Sequence, residues 1–248
     1  RQVLWPDLDV QLISITESWA QYAVAGPNAR ELLSKIVDTE FDISNEAFPF
    51  MACGVITVFG GLRARLFRIS FSGELAYEIA VPTRYGDAMM RALIEAAEKF
   101  GGCAYGTEAL GVMRIEKGHV AGNELNGTTT ALNLGLDRMV SMRKDSIGTV
   151  LSRRDGLVAE DSLKLVGLRP CRGSDPVPAG SHLMSKHSPI NAAYDQGYVT
   201  SSCYSPTLGY SIAIGFLKSG DQRFGEIIQL VSPLTNIKHD VEVVPAHF

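Results

Sequence analysis

The chain has 248 residues, 46% of them hydrophobic and 20% charged, with a formal net charge of −4. That length can bury one large core or two ordinary ones, and a mildly acidic chain with no long Lys/Arg run lacks the footprint of a nucleic-acid binder. No apolar run reaches the ~18 residues expected of a membrane helix, and Cys53, Cys103, Cys171 and Cys203 stand apart with no C-x-x-C, as reduced, buried thiols of a cytoplasmic protein would.

The chain opens Arg1-Gln2-Val3, without Met and without a signal-peptide pattern, so a fragment or processed product is expected. Leu12 to Val24 reads as two short strands around Glu17-Ser18. Gly26-Pro27 opens a helix carrying Leu32, Leu33 and Ile36. Val55 to Phe59 and Leu62 to Ser70 form a hairpin about a two-residue Gly60-Gly61 turn. Arg84 to Phe100 has Met89, Met90, Leu93, Ile94, Ala97 and Phe100 at helical spacing and ends at Gly101-Gly102. Thr107 to Lys117 reads as a second helix with Thr107 as N-cap.

Helical periodicity stops near Ala159. From Leu163 the runs LKLVGL, GYVTS, SIAIGFL, IIQLV and DVEVV are short, β-like and broken by Gly, Pro and Ser. The expected fold class is therefore α+β, with an α+β region over residues 1–158 and a small all-β barrel or sandwich over 159–248. Gly173 to Tyr194, rich in Pro, Ser and Gly, reads as a mobile loop.

Familiar chemical motifs are missing. There is no G-x-G-x-x-G and no Walker A, so a dinucleotide or NTP is not held by those means. His182 and His187 have a spacing that could take a metal, but no Cys or carboxylate accompanies them, and no metal is expected. Arg114 and Glu116 read as a surface ion pair near a helix end. Tyr204 to Gly209 reads equally as a structural turn or as a turn beside a ligand cleft.

The informative stretch is Phe67 to Pro82, FRISFSGELAYEIAVP. Strand alternation puts Tyr77, Ile79 and Val81 on one face, as core, and Glu78 on the other between Ala76 and Ala80, which leave open space over the carboxylate. On pattern alone, Glu78 is either a solvated strand charge or a ligand-binding group.

This stretch resembles the signature R-x-G-Y-T-G-E-x-G-F-E-[IL] of the glycine-cleavage T-protein family, with Arg68, Gly73, Glu74, Glu78 and Ile79 falling on it. The variant RISFSGELAYEI is similar to the T-protein-like C-terminal part of alpha subunits of heterotetrameric sarcosine oxidases. NEAFPFM at Asn45 to Met51, YGTEALGVMRIEKG at Tyr105 to Gly118, KDSIGT at Lys144 to Thr149 and YVTSSCYSPTLGYSIAIGFL at Tyr198 to Leu217 agree in order, so the resemblance covers essentially the whole chain.

The resemblance implies a tetrahydrofolate site, with Glu78 accepting the pterin ring N–H and amino group together. Phe71, at the signature Tyr, keeps a ring for stacking and loses the hydroxyl, and Met51 falls near a second pterin-packing position. Leu110 stands where the family has an Arg. The family's catalytic Asp falls before Arg1, so no catalytic residue is assigned within the chain. The implied activity is capture of the imine from sarcosine oxidation, giving 5,10-methylene-tetrahydrofolate and glycine. FAD, FMN and NAD are expected in other parts of the complex, and other sarcosine oxidase subunits as partners. A free-standing folate-dependent aminomethyltransferase or demethylase, and a non-catalytic subunit-assembly module, remain alternatives.

Overall fold

The computed structural model describes residues 7–141, 143, 144 and 146–248. Arg1-Gln2-Val3, and Asp145 of the Lys144 to Thr149 segment, lie outside the described residues. The architecture is α+β, as the sequence implied: an antiparallel sheet with helices, and a closed β-barrel. Packing divides the chain into Arg1–Ala104 and Tyr105–Phe248.

In the first unit, β1 (Trp19–Ala25), β2 (Cys53–Val58), β3 (Leu62–Phe67) and β4 (Ala76–Pro82) form one antiparallel sheet in the order β1-β4-β3-β2. Alternation sends Ile56, Val58, Ala64, Leu66, Tyr77, Ile79 and Val81 to one face. There they pack against Leu32 and Leu33 of α1 (Ala29–Leu33) and Met89, Leu93 and Ala96 of α2 (Gly86–Glu98). Each such large apolar side chain contributes about 1.5–3 kcal/mol on full burial, so this face fixes the register of the sheet. The register in turn fixes which residues share the opposite face.

Leu12 to Val24 makes one strand, not two: a 3₁₀ turn at Thr16–Ser18 precedes β1, and Leu12 and Ile13 are exposed. The hairpin turn has three residues, Phe59, Gly60 and Gly61, all at positive φ. The Asp38 carboxylate accepts the Gly60 and Gly61 N–H groups at 2.9 and 2.8 Å, and this ties the wider loop down. Met90 is exposed, because it stands a helical step of about 100° from buried Met89. Helix α2 ends with Gly101 at φ 71 and the Gly102 N–H donating to Ala97 O at 2.8 Å.

The second unit contains α3 (Thr107–Glu116), α4 (Ile147–Ser152), α5 (Asp155–Val158) and six strands. These are β5 (Leu163–Pro170), β6 (His182–Met184), β7 (Asp195–Ser205), β8 (Tyr210–Lys218), β9 (Ile227–Ser232) and β10 (Ile237–Val244). They close as β10-β5-β8-β7-β6-β9 around Val166, Leu168, Leu183, Val199, Leu217, Ile228, Leu230, Val241 and Val243. Closure leaves no strand edge unpaired. Gly197 is required where β7 crosses β8, since a Cβ there would overlap Phe216 O.

Three expectations change here. Gly106, not Thr107, is the N-cap of α3. Gly173 to Tyr194 holds barrel strand β6, which is only three residues long and so carries almost no alternation signal. Cys53, Cys103 and Cys171 are exposed rather than buried, and Cys203 is half-buried.

Packing groups residues 105–162 with the barrel. Helix α3 packs on β7 and β8. Asn133 Nδ2 donates to Leu163 O, and Leu165 N–H donates to Asn133 O, both at 2.7 Å. Phe248 N–H donates to Glu116 O at 2.8 Å.

Candidate functional site

On the sheet face away from α1 and α2, the side chain of Glu78 is half-buried near the middle of β4, with Ala23 of β1 and Phe67 of β3 as its cross-strand partners. Gln21 Nε2 donates to Glu78 Oε2 from β1. Ala76 and Ala80 flank Glu78 as expected, but both are buried, Ala80 at 2% exposure. Its register partners are Gln21 and Arg65, two long side chains that cover a small one.

Phe71 lies half-buried in the loop between β3 and β4. That loop is set by Gly73 at φ 88, by Gly73 N–H donating to Ser70 Oγ at 3.0 Å, and by Gly26 N–H donating to Leu75 O at 2.9 Å. Met51 lies just before β2 at φ 67, and 62% of it is exposed. Its N–H donates to Arg68 O at 3.0 Å, while Arg68 Nη1 donates to Phe48 O at 2.9 Å. Met51 precedes β2, Phe71 follows β3, and Glu78 pairs with Phe67, the last residue of β3, so the chain brings all three to the side of the sheet where β2 begins and β3 ends. Arg68, the first signature residue, serves there to hold backbone.

The same face carries residues the sequence reading passed over: Gln21, Phe67, and Arg65 with its Cζ 3.9 Å from the centroid of the Trp19 ring. Period-two alternation in WAQYAVA was the available signal, since it places Trp19, Gln21 and Ala23 together.

In the second unit, Arg114 and Glu116 do not form the expected surface pair. Positions i and i+2 on a helix point apart. Arg114 is buried instead: its Nη1 donates to Glu124 Oε2 at 3.0 Å and its Nη2 to Ser201 Oγ at 2.7 Å, and Ser201 Oγ donates to Glu124 Oε1 at 2.7 Å. Burial alone would raise the Glu124 carboxyl, but the hydrogen bonds it accepts, with Arg114, outweigh this and hold it below the usual carboxylate range. Glu116 accepts from Ser205 Oγ at 2.5 Å. Ser205 also caps the Tyr204 to Gly209 turn, with Leu208 N–H on its Oγ at 3.0 Å, so this segment is the β7–β8 hairpin connection. Leu110 lies on α3. His182 sits on β6 with its Nδ1 2.7 Å from Asp195 Oδ2. Among the described residues no cluster of His, Cys, Asp or Glu is arranged to hold a metal, and no helix is long and apolar enough to cross a membrane.

Residues 1–144 match the GCVT N-terminal domain family, and residues 164–248 match the glycine cleavage T-protein C-terminal barrel domain family. The chain is 50% identical to the sarcosine oxidase subunit alpha of Rhizobium meliloti over 94% of its own length and 24% of that protein's. An aminomethyltransferase of a Thermoanaerobacter species is 29% identical over 90% of the chain and 58% of that protein. The crystal structure of the aminomethyltransferase T of Bartonella henselae superposes with a TM-score of 0.71 at 21% identity, covering 91% of this chain and 58% of that one. The chain spans about a quarter of the length of the sarcosine oxidase alpha subunits it matches. With both domain families matched in order along a sheet-plus-barrel fold, the chain belongs to the glycine cleavage T-protein family.

Proposed function

We propose that the chain binds tetrahydrofolate through Glu78, as the T-protein-like part of a sarcosine-oxidising enzyme complex that captures the imine product and delivers its carbon as 5,10-methylene-tetrahydrofolate, with glycine released. The observation that carries this reading is a half-buried carboxylate on the sheet face away from the helices, at the signature position of the family.

The residues fit the group. A carboxylate offers about four acceptor positions. Gln21 uses one, on Oε2, which leaves both oxygens able to accept two parallel N–H bonds from a pterin edge. Phe71 and Met51, at the same end of the sheet, offer a ring and an exposed thioether for the faces of the pterin. Tetrahydrofolate supplies the nitrogen nucleophiles that accept the carbon. The chain's own residues bind and orient: Glu78 sets the pterin plane, Gln21 fixes the carboxylate, and the apolar groups exclude water. Holding two reactants in attack geometry can supply several kcal/mol of the barrier, up to about 7–11 in the best-oriented cases, and water exclusion keeps the imine from hydrolysing to formaldehyde. The flavins and NAD of the oxidation step belong to other parts of the complex, which also supplies the neighbouring subunits, and the setting we assign is cytoplasmic.

The test is the partition of carbon in the assembled sarcosine-oxidising enzyme. With tetrahydrofolate present, Glu78→Gln should shift the product from methylene-tetrahydrofolate to free formaldehyde while sarcosine consumption stays within about twofold of wild type. An unchanged partition would contradict the reading.

A further inference from the structure

We propose that Arg65, held over the Trp19 ring, is a carboxylate-binding group on the Glu78 face of the sheet, a site that extends the Glu78 reading and rests on it. Arg65 is on β3, opposite Ala80 of β4, whereas Trp19 is on β1, opposite Pro82. To place its Cζ 3.9 Å from the Trp19 centroid, the Arg65 side chain must run across β4. Its stem then lies over Ala80, which accounts for an alanine with 2% exposure on this face.

Stacking uses the flat face of a guanidinium and leaves its N–H donors in the plane, in the fork that matches a carboxylate. Among the described residues those donors have no hydrogen-bond or ion-pair partner, and the guanidinium's contact is with the Trp19 ring. Trp19 also fixes the rotamer, so little freedom is left to lose when an anion arrives.

The placement selects the ligand class. Phe67 pairs with Glu78 and Arg65 with Ala80, so the backbones of Glu78 and Arg65 stand on one face two residues apart along the strands, about 7 Å, and the Arg65 guanidinium is carried on toward Trp19, opposite Pro82, farther along the sheet from Glu78. A ligand that presents N–H donors at one end meets Glu78, and a carboxylate beyond it meets Arg65. The carboxylate can come from an amino acid bound beside the pterin or from the glutamate tail of the folate.

Three probes separate these: glycine, 5-formyltetrahydrofolate, and 6-methyltetrahydropterin, which keeps the pterin edge and has no carboxylate. They are titrated calorimetrically into the wild-type protein, Arg65→Met, Trp19→Leu and Glu78→Gln, with thermal melts confirming folding. Arg65→Met should weaken glycine or 5-formyltetrahydrofolate at least tenfold and leave 6-methyltetrahydropterin within twofold. A loss confined to glycine identifies the amino-acid carboxylate, and one confined to the folate identifies its tail. Trp19→Leu, which removes the platform, should weaken the same ligand. The proposal is overturned if neither carboxylate binds the wild type, if Arg65→Met leaves both within twofold, or if it weakens 6-methyltetrahydropterin equally. Glu78→Gln reports separately: unchanged 6-methyltetrahydropterin binding there defeats the pterin reading, whatever Arg65 does.

Discussion

Gln21 reaches Glu78 diagonally across the sheet: its own register partner is Ala80, yet its side-chain amide donates to the carboxylate two positions away on β4. The bond fixes one carboxylate oxygen before any ligand arrives. Gln21→Leu should therefore weaken reduced-folate binding by about 1 kcal/mol, roughly fivefold, the ordinary net worth of one hydrogen bond. Both groups are partly solvated, so the melting temperature should move by less than about 3 °C. Unchanged affinity would make the contact incidental.

Arg114 and Glu124 are a different case, because both are buried and the pair is closed by Ser201. Removing one member strands the other's charge. Arg114→Met should cost about 3–5 kcal/mol in urea unfolding, whereas the double change Arg114→Met with Glu124→Leu should recover much of that loss. A single-variant cost below about 1 kcal/mol would show that the pair does little for the fold.

The pH dependence follows from the depressed Glu124 carboxyl. Its folded pKa lies below the unfolded value of about 4.3, so its contribution is complete above that value and is lost as pH falls through the folded one. Melting temperature recorded from pH 6 down to pH 3 should drop more steeply for wild type than for Glu124→Gln. Parallel curves would contradict this.

Burial pushes the Cys203 thiol up to about 11, with the Glu116 carboxylate adding to the shift, while Cys53 and Cys103 are exposed. Thiolate is the reactive form. A thiol-disulfide reagent at pH 8 should modify Cys53 and Cys103 first and Cys203 last, as peptide mapping of partly modified protein would show. Early labelling of Cys203 would contradict the burial assigned to it.

Much of this was legible in the chain. Alternation in AYEIAV put Tyr77, Ile79 and Val81 in the core and Glu78 on the other face, and the structure keeps that division. The barrel showed itself through short β-like runs that close into a six-stranded ring. What was illegible depended on long-range pairing. Gln21 and Glu78 are joined only once β1 adds to β4, and Arg65 meets Trp19 only across the intervening strand. Arg114 looked like one end of a local pair because its partners, Glu124 and Ser201, lie beyond the helix and on the barrel wall. Strand β6 was too short to carry a period, and residues 105–162 join the barrel through loop contacts such as those of Asn133 rather than through any pattern in sequence.

The most direct test of the account is calorimetric titration of wild type and Glu78→Gln with 5-formyltetrahydrofolate. Glutamine turns one acceptor oxygen into a donor facing the pterin N–H groups. The account predicts a loss of about 2–4 kcal/mol, roughly 30- to 700-fold in Kd, with the melting temperature nearly unchanged. Equal affinities for the two proteins would contradict it.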